Sequence, residues 1–377
     1  MRVAFNASTI RFPLTGVGGY TLHLAQALSA RGDLDMRYFL GTRWADQVER
    51  PNAPRGPSYQ STLRSLIPFA HELLQARYAA RFMIGLGRRT QLIHEPAFLP
   101  ASFARPTIVT IHDLSFLRYP ETHPSDRVRV LTRRLPNIVR RAAHIVTDSE
   151  FGRQEVIGTF GVAPQKVTAI ALGAAPEFRP RDQASSADVL SRFRLQYKSY
   201  VLSMGTLEPR KNLALLLDAY ESLPPAFARA WPLIVAGFEG WKSEAIHARL
   251  RRLASTGVAR YIGYVPQDEL AVITAAAAIL VYPSIYEGFG LPVLEAMASG
   301  TAVIAANRSS LPEVLGDAGV LVASDDAPRL AQEVRRLCED TAARTEFEAR
   351  GLARCRQFSW DRCAEETVAV YRRTLAH

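Results

Sequence analysis

The chain has 377 residues, of which 48% are hydrophobic and 22% charged, with a formal net charge of +10. That length exceeds one ordinary core and suits two domains, and the composition is soluble and globular rather than disordered or fibrous. No apolar run reaches the roughly 18 residues of a membrane span, the N-terminus lacks a signal-peptide core, and the three cysteines lack metal-ligand spacing or disulfide-rich density, so a reducing cytosol is the expected compartment.

The charge is uneven. Residues 1–180 carry 23 Lys and Arg against 13 Asp and Glu, whereas residues 181–377 carry 23 of each. The first half would therefore attract anionic partners such as a membrane surface, a lipid pyrophosphate or nucleic acid. No zinc finger, RRM-like motif or aromatic-interleaved basic run accompanies it, so nucleic acid is not the expected partner.

In chain order, Arg2–Asn6 reads as a strand, Thr15–Tyr20 as a glycine turn and Tyr20–Ala30 as a helix. The turn imitates a dinucleotide fingerprint but has Thr21 where the third glycine belongs. Gly16, Gly18 and Gly19 permit close backbone approach or a tight turn. Asp33-Leu-Asp35 imitates a metal-binding acid pair, yet sits at a helix-to-strand connection far from every other signal, and no metal site is expected.

Residues 41–62 are rich in Arg, Pro, Gly and Ser and read as an exposed loop. Leu63–Leu86 alternates apolar and basic residues at helical spacing. A helix on a membrane interface fits this, as does a domain helix with a solvated face. Asp126–Ala142 is a second basic helix. Strands are predicted at Leu92–Glu95, Thr107–Ile111 and His144–Asp148. The second runs into His112-Asp113, beyond the carboxyl end of a strand, where open α/β sheets bind ligands. Asp148-Ser-Glu-Phe151 opens a helix with a serine N-cap.

Lys166–Leu172 reads as the last strand of the first half, and Gly173–Pro180 with the hydrophilic run Arg181–Asp188 as a linker. A strand within Ser199–Gly205, a loop Thr206–Asn212 and a helix Leu213–Leu223 follow, with Asn212 as N-cap. Arg210 and Lys211 therefore stand beside exposed N–H groups. Further strands are predicted at Leu233–Gly237, Arg260–Pro266 and Thr301–Ile304.

Ala277–Tyr282 reads as a buried strand, Glu287–Gly290 as a glycine turn and Pro292 as the start of a helix that Gly300 stops. Strand, turn and helix N-terminus make an anion site. Glu287 and Glu295 bracket it, Glu295 from the first helical turn, and are suited to neutral hydroxyls. A phosphate site between two hydroxyl ligands describes a sugar nucleotide.

These residues resemble the E-x7-E signature of the family-4 retaining glycosyltransferases, which have the GT-B fold. Further matches lie in order along nearly the whole chain: the glycine turn, His112-Asp113, Asp148–Phe151, the Gly173–Pro180 linker and the G-x5-K-N element Gly205–Asn212. The resemblance implies an α/β GT-B protein, two facing Rossmann-like doubly wound domains around a cleft. Residues 1–175 would be the acceptor domain and 176–359 the nucleotide-sugar domain, with the helix at 360–377 packing back on the first.

By the same resemblance, Arg210, Lys211, Glu287, His112 and Asp113 would serve catalysis, the His112 ring holding the donor sugar. Gly205, Gly288, Phe289, Gly290, Leu291, Val293, Leu294 and Glu295 would bind the donor, with Val265 near the base and Glu295 on the ribose. Gly16, Gly18 and Gly19 would form the acceptor and phosphate loop. No metal or cofactor is implied. Asn307–Val314 is similar to bacterial surface-polysaccharide mannosyl- and rhamnosyltransferases, which implies a GDP-sugar, with UDP-sugars second. A lipid-linked or polysaccharide acceptor, in O-antigen or exopolysaccharide synthesis at the cytoplasmic face of the membrane, would explain the basic first half. The alternatives are a GT-B synthase, phosphorylase or epimerase, an NAD-dependent dehydrogenase, and a non-catalytic membrane- or nucleic-acid-binding protein.

Overall fold

The computed structural model describes residues 1–51, 70–98 and 100–376. Seven strands form a first sheet: β1 (Arg2–Asn6), β2 (Asp35–Phe39), β3 (Trp44–Ala45), β4 (Leu92–Glu95), β5 (Thr107–Thr110), β6 (His144–Thr147) and β7 (Val167–Ala169), in spatial order β3-β2-β1-β4-β5-β6-β7. Only β3 runs antiparallel to its neighbour. Six parallel strands form a second: β8 (Val201–Met204), β9 (Leu233–Ala236), β10 (Ala259–Gly263), β11 (Ile279–Tyr282), β12 (Ala302–Ala306) and β13 (Val320–Val322), in order β10-β9-β8-β11-β12-β13. These are two Rossmann-like doubly wound sheets, the expected class.

Helices cover both faces of each sheet, so β4, β5, β6, β8, β9 and β11 are buried at every residue. The strand order reverses between β1 and β4 and again between β8 and β11. Connections depart in opposite directions there, which opens a crevice at the carboxyl ends of those strands. The loops that follow β8 and β11 are the two stretches the sequence singled out.

The final helix, Trp360–Ala376, returns to the helix Gly16–Ser29 of the first half. The Trp360 ring stacks on His23 with centroids 5.3 Å apart. Tyr371 is fully buried, and its hydroxyl lies 2.6 Å from His94 Nδ1 on β4. Burial holds the His94 ring far below its ordinary pKa, at about 3, so it is neutral and shares a proton with Tyr371 and Thr110 rather than a charge.

Four local expectations change. Gly16, Gly18 and Gly19 lie inside the first helix instead of in a turn before it, because Thr15 caps it: its hydroxyl accepts from the Gly18 N–H at 3.3 Å. Of the loop expected at 41–62, residues 41–51 are described and include β3, held down where Trp44 packs on Phe39 and Phe82; residues 52–62 lie outside the described residues. The hydrophilic run 181–188 is mostly helix (Gln183–Phe193), since Asp182 accepts from the Ser185 N–H at 2.8 Å and Leu190 is buried beneath it. The basic helix is described over Ala70–Gly85; residues 63–69 of the predicted 63–86 span, including Leu66 and Phe69, lie outside the described residues.

Backbone and side chains from both halves meet along a seam. A Cβ on Gly288 would lie 1.7 Å from the His112 carbonyl oxygen. The Ser149 hydroxyl donates to the Gly288 carbonyl at 2.6 Å. Glu313 accepts from the backbone N–H groups of Glu150 and Phe151 at 2.9 and 3.1 Å, placing a carboxylate at the N-terminus of the helix Glu150–Phe160. The Tyr286 hydroxyl accepts from the Leu114 N–H at 3.0 Å and bonds Glu155. On the far side, Trp241 donates to the Thr122 carbonyl and Lys242 to that of Glu121.

Candidate active site

After β8 the chain passes Gly205, whose φ of +137° suits only glycine, and turns through Pro209–Lys211 into the helix Leu213–Ser222. Asn212 sits at the N-cap position but does not cap with its side chain. Its amide donates instead to the carbonyls of Pro283 and Ser324, tying this loop to those after β11 and β13. Arg210 and Lys211 are thereby brought against Glu287.

Arg210 donates from Nη1 to Glu287 Oε2 at 2.9 Å and to the Tyr286 carbonyl at 2.6 Å, and from Nη2 to Glu208 at 2.6 Å. Lys211 donates to Glu287 Oε1 at 2.6 Å and to the Tyr282 hydroxyl at 2.7 Å. Tyr282 and Ser284 also donate to Glu287 Oε1, at 2.9 and 2.5 Å. Two cations and two carboxylates thus share one buried cluster.

Burial alone would raise the Glu287 pKa, but Arg210 and Lys211 overcome it and hold the carboxyl at about 2. Burial and the adjacent Arg210 lower the Lys211 pKa, with Glu287 acting in the other direction. Glu287 therefore stays ionised, and both its oxygens are occupied by protein donors.

The cluster keeps donors in reserve. A guanidinium has five N–H groups and an ammonium three. Arg210 spends three and Lys211 two on the bonds above, leaving two and one among the described residues. Arg210 Nε is one of them, buried and without a partner. A depression bounded by Gly205, Thr206, Lys211, Tyr282 and Pro283 lies beside them.

The turn after β11 delivers Gly288 to the seam and Gly290, at φ +110°, to the start of the helix Leu291–Ala298. Val293 and Leu294, expected to offer donor contacts, are fully buried, and their N–H groups bond the Gly290 carbonyl at 3.0 and 3.3 Å. Phe289 is likewise buried, edge-on to Phe358, while Leu291 is half-buried. Pro292 has no N–H to give. The anion-binding capacity of this helix is therefore smaller than its sequence suggested, and the cations carry more of it.

Glu295 lies past the first turn of that helix, not in it, and is partly buried. Burial and the nearby Glu177 raise its pKa to about 8. Glu177 belongs to the linker and accepts from Arg50 at 2.7 Å, and Arg50 also reaches Gln267 at 3.2 Å. Val265 is buried. Its neighbour Tyr264 is 37% exposed, stacks on Phe238 at 4.2 Å and meets Phe12 of the first half edge-on at 6.0 Å.

Across the seam, the His112 ring is fully engaged. Nδ1 lies 2.7 Å from Asp148 and Nε2 donates to the Pro96 carbonyl at 2.9 Å. Burial opposes charge on the ring, but Asp148 outweighs it and raises the His112 pKa. The ring cannot hold a donor sugar, as the resemblance implied, without giving up one of these bonds. What His112 turns toward the second half is its backbone carbonyl. Asp113 accepts from the Ser115 N–H and hydroxyl at 3.0 and 2.7 Å, just before the short helix Ser115–Arg118, and remains half-exposed. Among the described residues no group of three or more His, Cys, Asp or Glu could hold a metal ion.

The structure thus brings Arg210, Lys211, Glu287, Gly205, Gly288 and Asp113 into one region. Gly16 and Gly19 have open space where a Cβ would stand, while a Cβ on Gly18 would lie 2.9 Å from the Thr9 carbonyl oxygen. Glu208 escaped sequence reasoning. A single acid in a loop carries no spacing signal, and only its place two residues before Arg210 hinted at pairing.

Two family models match the chain: "Glycosyltransferase Family 4" over residues 14–178 and "Glycosyl transferases group 1" over residues 192–354. The chain is 35% identical to the O-antigen chain mannosyltransferase B of Escherichia coli, over 99% of this chain and 100% of that one. Sucrose-phosphate synthase from Thermosynechococcus elongatus superposes with a TM-score of 0.77 at 21% identity, covering 100% and 99% of the two chains. The Anabaena protein HepE in complex with UDP and glucose superposes with a TM-score of 0.74 at 18% identity, covering 98% and 99%. Both likenesses are of fold.

Proposed function

The chain belongs to the family-4 glycosyltransferases of GT-B fold, and we propose that it transfers mannose from GDP-mannose to a growing surface polysaccharide, with retention of anomeric configuration. The observation that carries this is the full-length likeness to an O-antigen mannosyltransferase, joined to a partly buried Arg210–Lys211 pair at the switch point of the second sheet. GDP-rhamnose is the neighbouring alternative. A UDP-sugar is the second reading, favoured by the UDP bound in a structural neighbour.

In this reaction the bond between the anomeric carbon and the β-phosphate oxygen breaks, and its electron pair stays on the diphosphate. The acceptor hydroxyl oxygen attacks the anomeric carbon from the face the diphosphate leaves, and its proton passes to the departing phosphate oxygen. The spare N–H groups of Arg210 and Lys211 meet the developing charge. A contact between unit charges near a protein surface is worth about 4 kcal/mol at an effective dielectric of 20, against roughly 0.3–1 kcal/mol for a helix N-terminus. The cations therefore dominate, and catalysis would need no metal.

Glu208 and Glu287 hold both cations in place before substrate arrives, which is the preorganisation that electrostatic stabilisation requires. This favours Glu287 as the group that positions the cations over a role in gripping a sugar hydroxyl. Glu295 is left to the ribose, and the His112 carbonyl to the positive charge that grows on the sugar. Asp113, half-exposed at the seam, completes the expected catalytic set.

The acceptor is proposed to be lipid-linked, met at an anionic membrane surface by the basic first half. On the helix Ala70–Gly85, Ile84 is 86% and Met83 43% exposed, in the company of Arg81, Arg88 and Arg89. Among the described residues no helix is long and apolar enough to cross a membrane. Thermal-shift titration with GDP, UDP, ADP and their sugars tests the reading: GDP and GDP-mannose should stabilise the protein most. Stabilisation by UDP alone would replace the donor, and a response to none would remove the transferase reading. NMR of the product anomer then decides retention.

A further inference from the structure

We propose that His123 is a ligand for a sugar hydroxyl, on the donor or the acceptor, at the edge of the catalytic cleft. This rests on the transferase reading above. His123 is only 4% exposed, yet neither of its ring nitrogens has a hydrogen-bond partner among the described residues. An imidazole always carries at least one N–H and, when neutral, one acceptor nitrogen, so leaving both unpaired inside a protein is unfavourable. The arrangement makes sense when something else completes it.

Its position says what. His123 follows Glu121 and Thr122, whose carbonyls receive Lys242 and Trp241 from the second half, and its ring lies 5.9 Å from the Trp241 ring. It therefore sits where the two halves close. The charges that act on it include Asp113, Glu208 and Arg210 of the candidate active site, besides Arg127 on its own half. Burial, followed by Arg127, lowers its pKa, while Asp113 and Glu208 pull the other way.

A neutral imidazole offers one donor and one acceptor, which matches a hydroxyl. A phosphate would instead call for a cation, and Arg210 and Lys211 already supply that. Both nitrogens are closed to solvent in this structure, so a sugar of the proposed reaction would meet them as the join around Trp241 parts. Nothing in the mechanism above uses His123, and it lies outside every sequence motif that led to the site.

Replacing His123 by Leu keeps the packing against Trp241 and removes both nitrogens. With GDP-mannose and an α-mannoside acceptor, His123→Leu should raise at least one KM tenfold or more. Binding of GDP, which lacks the sugar, should stay within twofold of wild type. The unfolding midpoint should hold or rise, because a buried polar group without a partner has been removed. A raised donor KM assigns the hydroxyl to the donor sugar, and a raised acceptor KM assigns it to the acceptor. If both KM values stay within twofold, or if the midpoint falls and GDP binding weakens with them, the proposal is overturned and His123 is structural. Should His123→Leu fail to fold, His123→Phe, which also lacks both ring nitrogens, is measured in its place and must meet the same KM criterion. Wild type that binds no sugar nucleotide overturns the transferase reading and this inference together, and that control is read first.

Discussion

The Ser149 hydroxyl donates to the Gly288 carbonyl at 2.6 Å while accepting from the Gly152 N–H at 3.0 Å. One atom therefore caps a helix of the first half and fastens the glycine turn of the second. Ser149→Ala should cost about 1 kcal/mol as a lost N-cap, read as a lower midpoint in denaturant. It should also loosen the seam, read as faster proteolysis between the halves. A loss of stability without any change in proteolysis would reduce Ser149 to a cap.

Arg210 compensates two carboxylates and Lys211 one. Both alanine variants should lower turnover about 10²–10³-fold, by analogy with removal of an oxyanion donor. Only Arg210→Ala strands Glu208 without its partner, and it should cost about 3–5 kcal/mol in stability, the range for breaking a buried pair. Denaturant unfolding beside steady-state kinetics separates the two effects. Equal stabilities would mean that Glu208 finds another donor.

Glu287 and Glu295 respond to pH in opposite senses. The Glu287 carboxyl titrates at about 2 when folded, below its ordinary 4.5, so its ionised form stabilises the fold above the higher value. That contribution fades as pH falls from 4.5 toward 2, and Glu287→Gln should flatten the acid limb of stability. Glu295 titrates near 8 when folded, above its ordinary 4.5, so the folded chain holds a proton the unfolded chain has released. Stability should decline as pH rises from 4.5 to 8, and Glu295→Gln should remove that decline. Unfolding midpoints across the pH range test both.

Gly16 and Gly18 make a matched pair. An added Cβ at Gly16 meets no atom within 4 Å, whereas at Gly18 it would stand 2.9 Å from the Thr9 carbonyl. Gly16→Ala should leave stability unchanged or raise it by up to about 1 kcal/mol through helix propensity. If the acceptor passes over this helix start, its KM should nevertheless rise. Gly18→Ala should destabilise first. An unaltered acceptor KM in Gly16→Ala would take this turn out of substrate binding.

Ile84→Asp should leave stability untouched, since the side chain is 86% exposed, and should weaken retention on vesicles containing anionic lipid at low salt. Salt should release the wild type as well, because charge supplies part of the attraction. Retention that ignores both the substitution and the salt would refute the membrane reading.

Much of the architecture was legible because its signals are local. Continuous apolar runs marked the buried strands, and Gly290, Pro292 and Gly300 bounded the short helix. The spacing of Glu287 from Glu295, with the Gly205–Asn212 element, pointed to the site. Contacts between distant residues were not legible. That Glu313 would cap a helix starting at Glu150, or that His112 would spend its ring on Asp148 and Pro96, depends on how the halves face each other. The helix at Gln183–Phe193 was missed because its exposed face is hydrophilic throughout and only Ser186 and Leu190 are buried. His123 was passed over for a similar reason. A histidine between Thr and Pro carries no pattern, and its two idle nitrogens exist only in three dimensions.

Gly288 and the His112 carbonyl meet backbone against backbone, with no side chain between them to swing aside. If the sugar nucleotide enters beneath this contact, the two halves have to part there, breaking the Ser149 and Glu313 bonds around it. Admission and discharge of cargo would then wait on that unlatching, and added viscosity or a cross-link across the join should throttle throughput while the bond-making step keeps its own pace.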